Sequence, residues 1–327
     1  MERATAGCVL MVRDEQVARS KEIQQRTGKT FHFATRLLPR RVRHPTYVLY
    51  AFFRLADEVV DDAGDATPEE QRVELERLRA AALGETETGN PVLSAFSKMR
   101  ERHGIEEADV DAFVDAMLTD ITKSRYETYA ELAAYIDGSA AAVGRMMTAV
   151  MNPEERERAL PHATKLGEAF QMSNFLRDVR EDIDERDRIY LPQTTLREHD
   201  VTEGQIRRHE LSEGFTTAME SELLRTEALY REGVAGIKYL PEDCQFSVLL
   251  AAVLYADHHR LIRDRNYDVL SATPELSRLR KLSLFARTRY RWMWTKDPET
   301  VFWCVSSVSK RGSPAAGAGR HDGLPAR

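Results

Sequence analysis

Four aspartates in two clusters are the residues of this chain best placed to do chemistry. In TYVLYAFFRLADEVVDD, residues 46–62, Tyr50, Arg54, Asp57 and Asp61 follow at steps of four, three and four. At about 100° per residue this spacing sets them along one narrow stripe of a helix. Val48, Phe52, Leu55 and Val59 share one neighbouring face, and Leu49, Phe53, Ala56 and Val60 another. A helix apolar over most of its circumference is buried, so the stripe carries two carboxylates and a guanidinium inward. Ionised carboxylates at i and i+4 repel by roughly a few tenths of a kcal/mol in water, and burial makes them costlier unless a cation compensates.

A second stripe runs through LGEAFQMSNFLRDVREDIDERDRIYLP, residues 166–192, where Gln171, Asn174, Asp178 and Asp182 fall at steps of three, four and four. Met172, Leu176, Val179 and Ile183 form the adjoining apolar face, whereas Asp184 is turned roughly 200° away from Asp182. Either cluster alone also fits a solvated acidic helix, with Arg54 paired to Asp57 or Glu58 in the first and Arg177, Arg180 and Glu181 interspersed in the second. Two inward stripes together fit a metal site built from facing helices of a bundle.

The donor set is all oxygen, which suits Mg²⁺, with Mn²⁺ as a substitute, and not Zn²⁺. Neither aspartate pair lies in a twelve-residue calcium loop, and no GxSxG elbow is present for a serine hydrolase. His258 and His259 stand in no evident relation to a nucleophile and are read as surface or core residues. Mg²⁺ typically keeps one or two protein carboxylates and completes its shell with water and substrate phosphate. Arg54, Arg177 and the upstream Lys29 complement the remaining phosphate charge. The chemistry reached in this way is metal-assisted departure of a diphosphate, with an apolar cavity keeping water from the carbocation left behind.

The elements that hold these stripes are helical. Apolar residues recur at three- and four-residue spacing with no alternating strand pattern, which predicts helices over 14–27, 44–62, 69–83, 91–102, 107–123, 128–151, 154–183, 214–237, 242–266 and 274–290. The chain has 327 residues, with 42% hydrophobic and 31% charged, and only 17 Gly and 12 Pro, a composition suited to long helices. A net charge of -6 supplies no basic field, which excludes nucleic acid as a partner. Three separated cysteines, Cys8, Cys244 and Cys304, make neither a CxxC pair nor a disulfide framework, so a reducing, cytoplasmic setting is expected.

No secretion signal is read at the start, and the longest apolar run, 246–256, is about half of the roughly 20 residues that span a bilayer. One domain is expected over 14–300, after an extension at 1–13 and before a Gly/Ala/Pro-rich tail over 301–327 that reads as disordered. No oligomeric state is assigned.

These residues resemble the squalene and phytoene synthase family over nearly the whole folded region. KTFHFATRLLP is similar to its amino-terminal segment, YVLYAFFRLADEVVDD to its first aspartate motif, SRYETYAELAAYIDGSAAAVG to its central signature and FQMSNFLRDVREDIDERDRIYLP to its second aspartate motif. The resemblance implies an all-α, single-domain isoprenoid-synthase bundle around a central cavity. It implies Mg²⁺ held by Asp57, Asp61, Asp178 and Asp182, which with Arg54 form the catalytic set. Substrate diphosphate contacts are implied for Arg54, Arg177, Gln171, Asn174, Tyr50, Lys29, Thr30 and Tyr255.

The implied reaction joins two geranylgeranyl diphosphates head to head through a cyclopropyl intermediate, with no NADPH. Its rivals join two farnesyl diphosphates to squalene, which needs NADPH, or to dehydrosqualene. A non-catalytic scaffold relative is disfavoured because such relatives typically lose aspartates from the motifs. A head-to-tail elongase is disfavoured because its motifs usually read DDxxD. Long hydrocarbon substrates imply peripheral contact with a membrane surface, expected to be weak because the overall charge is not basic. The central signature departs from many relatives at Asp137, Ser139 and Ala141, positions expected to line or border the hydrocarbon channel, and the small residues from Gly138 to Ala142 are expected to widen it.

Overall fold

A computed structural model describes residues 33–62 and 64–308. The expected helix over 14–27, the extension at 1–13, and Lys29 and Thr30 lie outside the described residues. Within them the chain is a bundle of α-helices with no strand, only an isolated bridge between Arg125 and Ile189.

Helix α1 (Arg40–Asp61) carries the first stripe. It begins four residues before the predicted start, because Pro45 falls in its second turn, where a missing N–H costs one early hydrogen bond and does not end the helix. Helices α2 (Pro68–Leu83), α3 (Pro91–His103) and α4 (Glu107–Asp120) follow. The ends of α2 are set by local chemistry: Thr67 and Glu70 form a capping box, Pro68 takes the first helical position, and Gly84 closes it in the left-handed conformation.

The helix predicted over 128–151 is interrupted. Helix α5 (Tyr129–Ile136) passes through one π turn, Asp137–Ala141, into α6 (Ala142–Met151). Gly138 in that turn lies so close to α4 that a Cβ would sit 2.2 Å from the Ala112 carbonyl oxygen. Its smallness therefore serves helix packing and does not widen a channel.

The segment predicted as one helix over 154–183 is α7 (Arg156–Arg177) and α8 (Val179–Arg186), kinked at Asp178 with φ -100° and ψ 14°. Hydrogen bonding continues across the kink, from Asp178 N–H to Asn174 and from Asp182 N–H to Asp178, each 2.8 Å, so the second stripe survives it. The connection before α11 (Glu213–Val234) contains two short helices absent from the prediction, α9 (Gln193–Glu198) and α10 (Glu203–Arg207). Helices α12 (Glu242–Asp264) and α13 (Arg278–Thr295) complete the bundle, with α14 (Pro298–Val305) after them. Val301, Phe302 and Val305 of α14 are buried in the main core, so the folded region extends past residue 300, where the tail was expected to begin.

The main core gathers α1 to α7 with α11 to α14, including Phe52, Phe96, Phe113, Met146 and Tyr230. A second cluster, built on Leu176, Val179 and Ile183, packs the back of the second stripe against Ile189, Leu191, Phe215 and Ile262. The apolar side of that stripe is thus anchored in the core, leaving its polar side to face the first stripe.

Candidate active site

Helices α1, α6, α7 and α12, with the π turn and the end of α11, enclose a cavity of about 420 Å³. Leu49, Phe53, Val143, Met147, Leu166, Phe170 and Ala251 make most of its wall apolar. Tyr50, Asp57, Gln171, Asn174 and Tyr255 line it on the side of the aspartate stripes, the hydroxyls of Thr35, Thr46, Ser139, Thr148 and Ser247 are the other polar groups of the wall, and Asp57 is the only charged side chain among the described lining residues. Along α7 the wall runs from Asn174 to Ala159, a span of about 22 Å at the rise of an α-helix. This is a long apolar channel with one polar mouth, shaped for a hydrocarbon carrying a polar head.

At the mouth the two stripes are tied together by arginines. Arg54 lies 3.5 Å from Asp57 and 3.8 Å from Glu58, and its buried Nε has no hydrogen-bond partner. Arg186 bridges the motifs, 3.5 Å from Asp61 and 3.6 Å from Asp182, and Arg188 reaches Asp61 at 3.5 Å. Arg177 donates to the neighbouring Asp178. The three aspartates that point inward beside these groups are crowded: burial pushes the Asp57 carboxyl up to about 7 and Asp182 up to about 8, with Asp61 adding to the first and Asp178 to the second. Asp120 is pushed up to about 6 by burial, although Arg188 and the Tyr135 hydroxyl oppose the rise.

Burial favours the protonated form of carboxyls held this far above their ordinary range, and a cation bound beside them would restore the carboxylate. Among the described residues no three His, Cys, Asp or Glu side chains converge closely enough to hold an ion by themselves. The donor chemistry nevertheless fits Mg²⁺, which needs few protein ligands and takes the rest from water and phosphate. Asp57 and Asp61 from α1, with Asp178 and Asp182 from the kinked α7–α8 pair, are the residues that would hold it.

Of the site residues predicted from sequence, Tyr50, Asp57, Gln171, Asn174 and Tyr255 line the cavity, while Arg54, Asp61, Arg177, Asp178 and Asp182 surround its mouth. Tyr255 stacks on Phe170 with ring centroids 4.6 Å apart. Asp184 points elsewhere, bonded to His209 at 2.8 Å and Arg180 at 3.3 Å. Arg186 was missed, although it sits four residues after Asp182 and continues the same stripe. Asp120 and Tyr135, joined by a 2.7 Å hydrogen bond, were also missed as a pair, since only the tertiary fold brings α4 and α5 together.

The departures in the central signature separate. Ser139 and Ala140 line the cavity, and the Ser139 hydroxyl has no hydrogen-bond partner. Asp137 turns away to pair with Arg145, and Ala141 packs against Gly167, so these two positions do not line the channel. His258 and His259 are buried. His259 does form a line with Ser173, at 2.9 Å, and Glu227, at 3.5 Å. Ser173 is buried and outside the cavity wall, and its hydroxyl donates to the Ala169 carbonyl, so no substrate reaches it as a nucleophile.

The family profile of squalene/phytoene synthases matches residues 24–280. The phytoene synthase of Thermus thermophilus is 34% identical over 258 residues, covering 76% of this chain and 83% of that protein. The phytoene synthase of Rhodobacter capsulatus is 32% identical over 80% of this chain and 78% of its own length. Among solved structures, a dehydrosqualene synthase in complex with ligand matches with a TM-score of 0.78 at 25% identity, over 86% of this chain and 98% of that one. A squalene synthase from Alicyclobacillus acidocaldarius shares the fold, with a TM-score of 0.70 at 23% identity over 78% of this chain and 96% of its own. With the profile spanning most of the described helices and both aspartate stripes, this chain belongs to the squalene/phytoene synthase family of prenyltransferase-type enzymes.

Proposed function

We propose that the chain is a phytoene synthase, joining two geranylgeranyl diphosphates into a forty-carbon product with loss of two diphosphates and two protons, one as the cyclopropyl intermediate closes and one at the end. The observation that carries this reading is the meeting of two aspartate pairs at the one polar mouth of a long apolar channel. When bound by Asp57, Asp61, Asp178 and Asp182, Mg²⁺ supplies neutralisation of the charge that builds on the leaving diphosphate.

Arg54 and Arg177 offer guanidinium forks to the phosphate oxygens, and Gln171 and Asn174 offer amide donors from the cavity wall. Tyr50 and Tyr255 orient the head of the substrate at the mouth. The apolar wall beyond them excludes water from the allylic cation, and the rings of Phe53 and Phe170 present faces that favour positive charge. The chemistry requires no redox partner, so NADPH has no part in it. We infer a cytoplasmic enzyme in peripheral contact with a membrane surface, where its substrate and product partition. No helix of the described residues is long and apolar enough to cross a membrane.

Incubation with geranylgeranyl or farnesyl diphosphate, each with and without NADPH, tests the substrate. Preferential conversion of the geranylgeranyl compound to phytoene, indifferent to NADPH, is the expected result. Preferential conversion of farnesyl diphosphate to squalene or dehydrosqualene overturns it.

A further inference from the structure

Helix α13 is apolar on two opposite sides. Leu284, Thr288 and Trp292 are buried against the bundle. Leu279, Leu282, Tyr290, Met293 and Trp294 are 57 to 80% exposed. At about 100° per residue the exposed set, with Ala286, occupies an arc of roughly 120° centred opposite the buried set. The stripe therefore points straight away from the protein. Isolated exposed apolar residues are ordinary, but five large ones along one helix face form a contiguous patch.

Charge flanks this stripe on both sides. Residues 278–296 contain seven basic side chains and no acidic one, in a chain whose net charge is -6. Arg280, Arg287 and Arg291 project along one border, and Arg278, Arg289 and Lys296 along the other. Arg280 is held by Asp257, and Arg289 and Lys296 lie over the rings of Phe246 and Trp292, 5.6 and 5.5 Å from their centroids, but Arg278, Arg287, Arg289 and Arg291 make no ion pair among the described residues. Phe246 of α12 packs on Phe285 and Trp292 of α13, while Ser247, Val248, Ala251 and Tyr255 of the same helix line the cavity. One helix thus separates the stripe from the channel.

We propose that α13 is a membrane-docking helix that lies in the interface of an anionic bilayer, its apolar stripe among the acyl chains and its arginines at the headgroups. An apolar stripe bordered by arginines and crossing no membrane has the pattern of an interfacial helix. The charge complementarity selects an anionic lipid surface over a neutral one. This replaces the expectation of weak attachment drawn from the overall charge, because the positive charge is concentrated on the helix that makes contact. The proposal deepens the reading of the enzyme as one that handles lipid substrates, but its binding test uses no substrate and stands or falls separately.

The test is co-flotation of the purified full chain with vesicles of phosphatidylcholine alone or of an equimolar mixture with phosphatidylglycerol. Binding to the mixed vesicles, weakening as salt is raised, is the expected result. The pair Leu282→Glu/Met293→Glu lowers the partition coefficient by about tenfold or more. The surface triple Arg287→Gln/Arg289→Gln/Arg291→Gln lowers it by roughly fivefold per arginine on mixed vesicles and little on neutral ones. Both variants are expected to keep the wild-type melting temperature and turnover of detergent-dispersed substrate. Failure of the wild-type chain to float with anionic vesicles overturns the proposal, as does binding of both variants equal to wild type. A dimer in light scattering that the Leu282→Glu/Met293→Glu pair dissolves, with no vesicle binding, reassigns the stripe to contact between copies of the chain.

Discussion

Replacing Asp182 by Asn separates a metal-binding carboxylate from a merely acidic helix, with Asp184→Asn two residues away as its control. Asp182 is buried, 3.6 Å from Arg186, whereas Asp184 is exposed and bonded to His209 and Arg180. Burial and Asp178 raise the Asp182 carboxyl from 3.8 to about 8. A group with a raised folded-state value contributes stability that is whole below its ordinary value and is lost as the pH climbs toward about 8.

At ~1.4 kcal/mol per pH unit the displacement bounds the penalty of the ionised form at about 6 kcal/mol, of which relaxation and water at the mouth leave about 1 to 2 kcal/mol. Without metal, Asp182→Asn is therefore expected to melt above wild type at pH 8, by about 2 to 6 °C, and to show no gain at pH 4. Turnover in Mg²⁺ should fall by two to three orders of magnitude, as loss of about 3 to 4 kcal/mol of transition-state stabilisation requires. Asp184→Asn should stay close to wild type in both. Differential scanning fluorimetry across pH, with and without Mg²⁺, and steady-state turnover decide the matter. Equal activities in the two folded variants, or a loss of stability in Asp182→Asn at pH 8, refute the reasoning.

Arg186→Gln removes the cation between Asp61 and Asp182, so the metal-free protein should melt lower than wild type at pH 8 and gain more from added Mg²⁺; a smaller Mg²⁺ gain than wild type contradicts the bridging role. Arg280→Ala strips the two bonds of 2.8 and 2.6 Å from the buried Asp257 carboxylate and should cost about 3 kcal/mol in urea unfolding at neutral pH. Those bonds and Arg260 hold Asp257 below its ordinary range, so their contribution is present above that range and is lost as pH falls through the depressed value, and the variant should differ least from wild type in strong acid. Ser139→Leu gives up no protein hydrogen bond and narrows the channel, so kcat/KM for geranylgeranyl diphosphate should drop more than for farnesyl diphosphate; an equal drop for both shows that Ser139 does not bear on chain length.

The stripes could be read from sequence because helical periodicity acts locally: Asp57 with Asp61, and Asp178 with Asp182, share a face whatever surrounds them. The kink at Asp178 was not readable, yet it leaves the stripe in register because the hydrogen bonds run through it. The π turn at Asp137–Ala141 follows from how α5 and α6 pack on α4 and α7, so sequence could not divide the small residues that line the cavity, Ser139 and Ala140, from those that pack helices, Gly138 and Ala141. Helices α9 and α10 each bury an apolar residue, Leu196 and Ile206, but are too short to show a period. Helix α13 shows apolar residues on two sides, and periodicity does not say which side meets the core.

The account rests on two aspartate pairs ionising a prenyl diphosphate at the mouth of an apolar channel. Its most direct measurement is product formation from geranylgeranyl diphosphate by the purified full chain in Mg²⁺, in Mn²⁺ and in excess EDTA, followed by mass analysis of the hydrocarbon. The predicted result is phytoene with either metal and none in EDTA, restored when Mg²⁺ is returned. Undiminished turnover in EDTA, or no hydrocarbon product with the metal present, would contradict it.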